Sequence, residues 1–244
     1  MKKLKTVLLL LNILLMAIIL PGCKKSTSDP VPVPVIKNKI AYIYQTDNTD
    51  GLVYKTILET GNCSVTLIEK SAVTTTDYGG YKLIVIDNNT NLTTTQTWTN
   101  ADTAAINGPG KPILFIGAGG MFLADKMGNR VAWGGCAVAS AQVSCIVTDS
   151  SSSIYKSPKA ITIPAGNALP VYSSPNSMVC FFAPVPSAVN VTLIGRLTNT
   201  SYYPVCFEKN RYGMFGFTGN FSTLTQTGKD FLVNISYYVG NLIL

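Results

Sequence analysis

Residues 111–121, KPILFIGAGGM, constrain the fold more than any other stretch of the chain. Residues 113–116 are an unbroken apolar run, the pattern of a strand covered on both faces. Gly117, Ala118, Gly119 and Gly120 then remove side chains where the chain must turn sharply. Residues 121–127 suit a helix, and Gly128 stands where helices commonly end. Strand, tight glycine turn and helix in this order make the elbow on which an α/β fold can place a nucleophile.

A strand–helix alternation surrounds the elbow. Residues 40–44 are an apolar strand ending in Gln45, Thr46, Asp47 and Asn48. Asp50 is placed to cap a helix with Leu52, Val53, Ile57 and Leu58 on one face, which Gly61 stops. Residues 64–68 and 83–86 are the next strands, the latter delivering Asp87, Asn88 and Asn89 at its carboxyl end. Thr93 and Gln96 have capping-box spacing and open a helix through Trp98, Ala101, Ala105 and Ile106. Four such strands predict a mostly parallel sheet with right-handed crossovers.

After Gly128 the pattern changes. Residues 143–148, 161–163, 177–182 and 191–197 look like strands, and residues 202–207 and 212–218 form a hairpin around residues 208–211. Thr223 and Gln226 make a second capping box, opening a last helix with Phe231, Ile235 and Tyr238 on one face. No repeat or further boundary interrupts residues 39–244, which are expected to form a single domain. A chain of 244 residues with 47% hydrophobic content suffices for one domain and not for two large ones.

The N-terminus sets the expected compartment. Lys2, Lys3 and Lys5 precede an apolar run over residues 7–20, interrupted only by Asn12. The run is short for a membrane span, which needs ~20 residues, and has the layout of a secretion signal. It closes as Leu20-Pro21-Gly22-Cys23, which resembles the bacterial lipobox. That resemblance implies cleavage after residue 22 and acylation of Cys23, the alternative being an uncleaved anchor. Pro30, Pro32 and Pro34 alternate with valine in a tether over residues 23–38, able to reach about 45 Å at ~3.1 Å per residue. Lys24 stands where an aspartate marks inner-membrane retention in some bacteria, and no acidic run follows, so the outer membrane, facing the periplasm, is the expected site.

Only 13% of the residues are charged, which suits an exported protein whose surface is largely Thr, Ser, Asn and Tyr. Loss of the leader and its three lysines takes the formal charge from +7 to about +4. No arginine-rich patch or interleaving of basic and aromatic residues points to nucleic acid. Five cysteines remain beyond Cys23, an odd number, with Cys136–Cys145 and Cys180–Cys206 as conceivable pairs and buried thiols as the alternative. No spacing is C-x-x-C and there is no histidine, so neither a metal site nor a cofactor is expected.

Three stretches resemble the class I glutamine amidotransferase-like superfamily, including the trehalose-utilisation-type domains. They are residues 39–47 with the following helix, the elbow at residues 111–121, and residues 210–239 (NRYGMFGFTGNFSTLTQTGKDFLVNISYYV). The resemblance covers most of residues 39–240. It implies a flavodoxin-like α/β fold: a mostly parallel central sheet flanked by helices, with antiparallel hairpins added in the C-terminal half. Active members carry a G-x-C-x-G elbow with a downstream histidine. Here the matching positions are Gly117, Ala118, Gly119, Gly120 and Met121, so Gly119 replaces the nucleophile and Met121 the last glycine. A thiol or hydroxyl needs a nearby base, and without histidine the amidotransferase chemistry is not available.

Ligands of open α/β sheets bind beyond the carboxyl ends of the strands. That rule gathers Gln45, Asp47, Asp87, Asn88, Gly117, Ala118, Gly119 and Gly120 on one edge as candidate ligand-binding residues. Backbone N–H groups of residues 119–122 offer a seat for an anion at a helix N-terminus, or the glycines serve only the turn and close packing. Asp47 and Asp87 suit an acid/base pair or hard-cation ligands, and equally suit helix caps. Cys136 is a substitute nucleophile by neighbourhood alone, and Tyr202, Tyr203 and Tyr212 suit either sugar stacking or ordinary sheet packing. The chain is thus expected to be an envelope lipoprotein, held by lipid on Cys23, whose domain binds a small molecule or an envelope protein without catalysis. The alternative is an envelope hydrolase of carbohydrate or cell-wall material working through Asp47 and Asp87.

Overall fold

The computed structural model describes residues 37–90, 97–132, 141–182, 190–198, 200–209 and 211–244, and residues 136–137 by their backbone. The leader, Cys23, nearly all of the tether, the Thr93–Gln96 capping box and residues 133–135 lie outside the described residues. Among the described residues no helix is long and apolar enough to cross a membrane.

The first half alternates as the hydrophobic pattern predicts: β1 (Asn38–Tyr44), α1 (Thr49–Glu59), β2 (Cys63–Glu69), β3 (Leu83–Ile86), α2 (Asn100–Asn107), β4 (Ile113–Ile116) and α3 (Gly117–Lys126). The second half adds β5 (Cys136–Ala137), β6 (Ser144–Val147), β7 (Ala168–Pro170), β8 (Val179–Phe182), β9 (Val191–Arg196), β10 (Tyr202–Tyr203), β11 (Val205–Glu208), β12 (Tyr212–Phe215) and α4 (Gln226–Gly240). Nine strands form one sheet in the order β2-β1-β3-β4-β12-β11-β9-β6-β7. The first five are mutually parallel, and everything beyond β12 is antiparallel. Taken alone, the parallel strands have the 2-1-3-4-5 order of flavodoxin-like folds, with β12 as the fifth.

Period-two alternation explains why β3 and β4 carry no polar face. Leu83, Val85, Leu114 and Ile116 enter one core with Tyr54 and Leu58 of α1 and Phe231 and Ile235 of α4. Ile84, Ile86, Ile113 and Phe115 enter the other, with Ile106 of α2 and Leu123 and Ala124 of α3. Each such side chain, fully buried, contributes ~1.5–3 kcal/mol of transfer free energy.

Several expectations are corrected. Asp50 is not the cap of α1; it lies in the first turn, and its Oδ1 accepts from Phe221 N at 2.7 Å. The buried face of α1 is Gly51, Tyr54 and Leu58, and Leu52 is 50% exposed. The box that opens α2 is Thr99 with Asp102, since Thr99 Oγ1 accepts from Asp102 N and Asp102 Oδ2 accepts from Thr99 N. α3 begins at Gly117, so the glycines form its first turn rather than a loop before it. Residues 161–163 are not a strand: Pro158 and Pro164, which cannot donate, bracket them, and Ile161 and Ile163 pack singly against the core. The chain pairs later instead, at Ala168–Pro170. In the hairpin, Tyr202 and Tyr203 leave the main sheet to pair with β8, and only Val205–Glu208 pairs with Tyr212–Phe215. α4 is capped by Thr225, whose Oγ1 accepts from Gly228 N, while Thr223 lies in the preceding 3-10 turn. Tyr238, placed on its buried face, is 37% exposed.

Neither proposed cysteine pair forms. Cys145, Cys180 and Cys206 are buried thiols, as is Cys63, and the register of β5 against β8 sets Cys136 opposite Cys180.

Candidate functional site

The order of the parallel strands puts the topological switch point at the carboxyl ends of β1 and β3, with the elbow after β4 alongside. The sequence-named residues do converge there, and hydrogen bonds lace three loops together. Asp87 N donates to Ile43 O at 2.9 Å, extending the β1–β3 ladder by one residue. Asn89, delivered by β3 but not named among the site residues, joins the β1 loop: its Oδ1 accepts from Gln45 N at 3.0 Å and its Nδ2 donates to the Asp47 carbonyl.

Asn88 faces the elbow. Its Oδ1 accepts from Ala118 N at 2.9 Å, its main-chain O accepts from Gly119 N at 3.0 Å, and its Nδ2 donates to Thr218 O at 3.1 Å. Two of the first amides of α3 are therefore satisfied within the molecule. Because α3 begins at Gly117, the terminal donors are those of residues 117–120 rather than 119–122, and the seat expected for an anion is held in part by Asn88.

The glycines each have a distinct reason. Gly117 sits at φ +51, so the strained apex of the strand-to-helix turn is Gly117 rather than Gly119, and a Cβ there would lie 2.2 Å from Asn88 Oδ1. A Cβ on Gly119 would lie 2.3–2.6 Å from the carbonyl oxygens of Thr90, Asn88 and Asp87. One on Gly120 would meet the Phe115 backbone at 2.7 Å. Gly117, Gly119 and Gly120 are buried and Ala118 is half-buried, and the tight approach of α3 to the strand ends accounts for all three glycines.

The two carboxylates proposed as a pair have opposite environments. Asp47 is exposed, and its Oδ1 accepts from Thr49 N at 2.9 Å and Thr49 Oγ1 at 2.6 Å, which holds its carboxyl below the usual range. Asp87 has no exposed surface. Burial pushes its carboxyl up to about 7, with the Tyr42 hydroxyl, Asn88 N and the Asp50 and Asp47 charges as smaller influences. The Tyr42 hydroxyl is near enough to bias that proton, yet among the described residues Asp87 Oδ2 and Tyr42 Oη are both buried without completing a hydrogen bond. An acid/base pair needs both groups at one substrate, and a carboxyl sealed in the core reaches none. Among the described residues neither carboxylate caps a helix: Asp47 closes the turn before α1, whose N-cap is Asn48, and Asp87 Oδ1 accepts from Asn88 N. Gln45 is half-buried, its Oε1 without a hydrogen-bond partner among the described residues. Among the described residues no three His, Cys, Asp or Glu side chains cluster to hold a metal ion.

The overall fold recurs in solved structures. The fold is flavodoxin-like. The chain is similar to a protein from Thermoplasma acidophilum described as part of a GMP synthase, with a TM-score of 0.55 and 14% identity over 84% of this chain and 95% of that one. It is similar also to PurLQS from Thermotoga maritima, with a TM-score of 0.54 and 12% identity over 83% and 99% of the two chains. No family model and no curated protein matches the sequence. At these identities the likeness is one of fold, and the chemistry rests on the residues just described.

Proposed function

We propose that the chain is a lipid-anchored envelope protein whose amidotransferase-like domain binds a ligand or partner protein and performs no amidotransferase reaction. The observation that carries this is the Asn88 side chain lodged at the elbow. It engages the Ala118 amide and occupies the space that a side chain on Gly117 would need. The chain has no histidine to act as base, and Asp87, the one buried acid at the switch point among the described residues, is sealed from solvent. The lipobox-like residues ending at Cys23, the basic leader and the proline-rich tether support attachment to the bacterial envelope, with the domain held off the outer membrane in the periplasm. The full-length chain, purified in mild detergent, is expected to release no ammonia from glutamine above a buffer control. Saturable release that disappears in Asp87→Asn would overturn this. Mass spectrometry of the same preparation is expected to find acylated Cys23 as the N-terminus; membrane-bound chain with an intact leader would contradict the anchor.

A further inference from the structure

Arg196 ends β9, an inner strand of the antiparallel half, where its register partner is Ile146 of β6. Three local devices surround it with polar groups. Asn167, in the left-handed region at φ +62, accepts on its main-chain O from Val147 N at 2.9 Å, folding residues 164–167 against the end of β6. Thr148 continues β6, its Oγ1 donating to the Leu193 and Ile194 carbonyls of β9. Leu197 N donates to Tyr202 O at 2.9 Å, which brings Tyr203 alongside the end of β9. Between these walls lies a cleft of about 350 Å³, lined by Ile146, Val147, Thr148, Asn167, Arg196 and Tyr203.

The charge pattern of the cleft is one-sided. A guanidinium stays protonated and carries five donors in a planar fork. Among the described residues the Arg196 side chain forms no hydrogen bond and no ion pair, and its Nε is buried without a partner. No acid lines the cleft, and Asp149, the carboxylate nearest the lining in sequence, is engaged by Ser151 N and Oγ. A fixed, half-buried cation beside polar groups and lacking a counter-charge suits a carboxylate, which the fork can hold by two parallel hydrogen bonds. The volume lies at the lower end of the ~300–1,000 Å³ range of ligand pockets, enough for one ring rather than a chain. An amide, two hydroxyls and one aromatic ring suit a hydroxylated acid better than an apolar one.

We propose that this cleft binds a monosaccharide-sized sugar acid, its carboxylate seated on Arg196 and its hydroxyls met by Asn167, Thr148 and Tyr203. β12 and β11 separate β9 from β4 in the sheet, so this site is distinct from the elbow and stands whether or not the elbow is inert. Saturation-transfer NMR on the full-length chain in detergent, with D-galacturonate and D-galactose as probes, tests it. Galacturonate is expected to bind saturably and galactose at least tenfold more weakly. Arg196→Gln is expected to weaken galacturonate at least tenfold with the circular dichroism and melting temperature unchanged. Asn167→Gly keeps the left-handed backbone while removing the amide, and is expected to weaken binding severalfold. The proposal is overturned if the wild type shows no saturable galacturonate binding, if galactose binds equally well, or if a folded Arg196→Gln variant binds unchanged. If Arg196→Gln does not fold, an unaltered affinity in Asn167→Gly overturns it.

Discussion

Asp87 concentrates the physics of the strand-end edge in one side chain. Burial raises its carboxyl from an ordinary 3.8 to about 7. Between those values the folded chain keeps a proton that the unfolded chain has released, so stability falls as pH rises through this window and is level above it. Asp87→Asn removes the titrating group and still offers an oxygen to Asn88 N, which now meets Asp87 Oδ1 at 2.7 Å. It also places a donor where Asp87 Oδ2 faces Tyr42 Oη unpaired. The variant is therefore expected to be more stable than the wild type by ~1–4 kcal/mol above the window and to lose the pH dependence. Urea unfolding on both sides of the window measures this; an unchanged slope would show that Asp87 titrates normally. The sequence identified Asp87 by its place after a strand, but not that a carboxyl there is sealed beside Tyr42. Burial at a strand end depends on what distant segments pack over it, and no local pattern carries that.

At the scale of elements, local signals succeeded where they were unambiguous and slipped where two residues competed for one role. β3 and β4 have the bounds their apolar runs predict, because a strand buried on both faces leaves no polar position to blur its ends. The start of α4 slipped by two residues. Thr223 and Gln226 have capping-box spacing, but Thr223 Oγ1 donates to Asn220 O within a 3-10 turn, and Thr225 Oγ1 accepts the Gly228 amide. Thr225→Ala is expected to cost ~1 kcal/mol of stability, and Thr223→Ala distinctly less, by thermal or chemical denaturation. Equal costs would return the cap to Thr223. Asp50 shows the same limit from the other side: its carboxylate serves a turn 171 residues away rather than its own helix.

For the whole molecule, strand order decided the outcome. The parallel first half was legible because its four strands alternate with helices in sequence; the strand order, and β12 as a fifth parallel strand beside β4, were not, because the local pattern of residues 212–218 marks only one arm of a hairpin. Where the elbow turns was not, because Gly117, Gly119 and Gly120 are alike as letters and differ only in what surrounds them. At the elbow Asn88 ties β3, α3 and the segment after β12 into one clasp. Amide hydrogen exchange at Ala118 and Gly119 tests that closure most directly. If Asn88 holds both amides, they exchange only through global unfolding, and Asn88→Ala releases Ala118 to faster exchange. Exchange of Ala118 and Gly119 in the wild type at the rate of an unstructured chain would contradict the closed elbow and restore it as an open binding site.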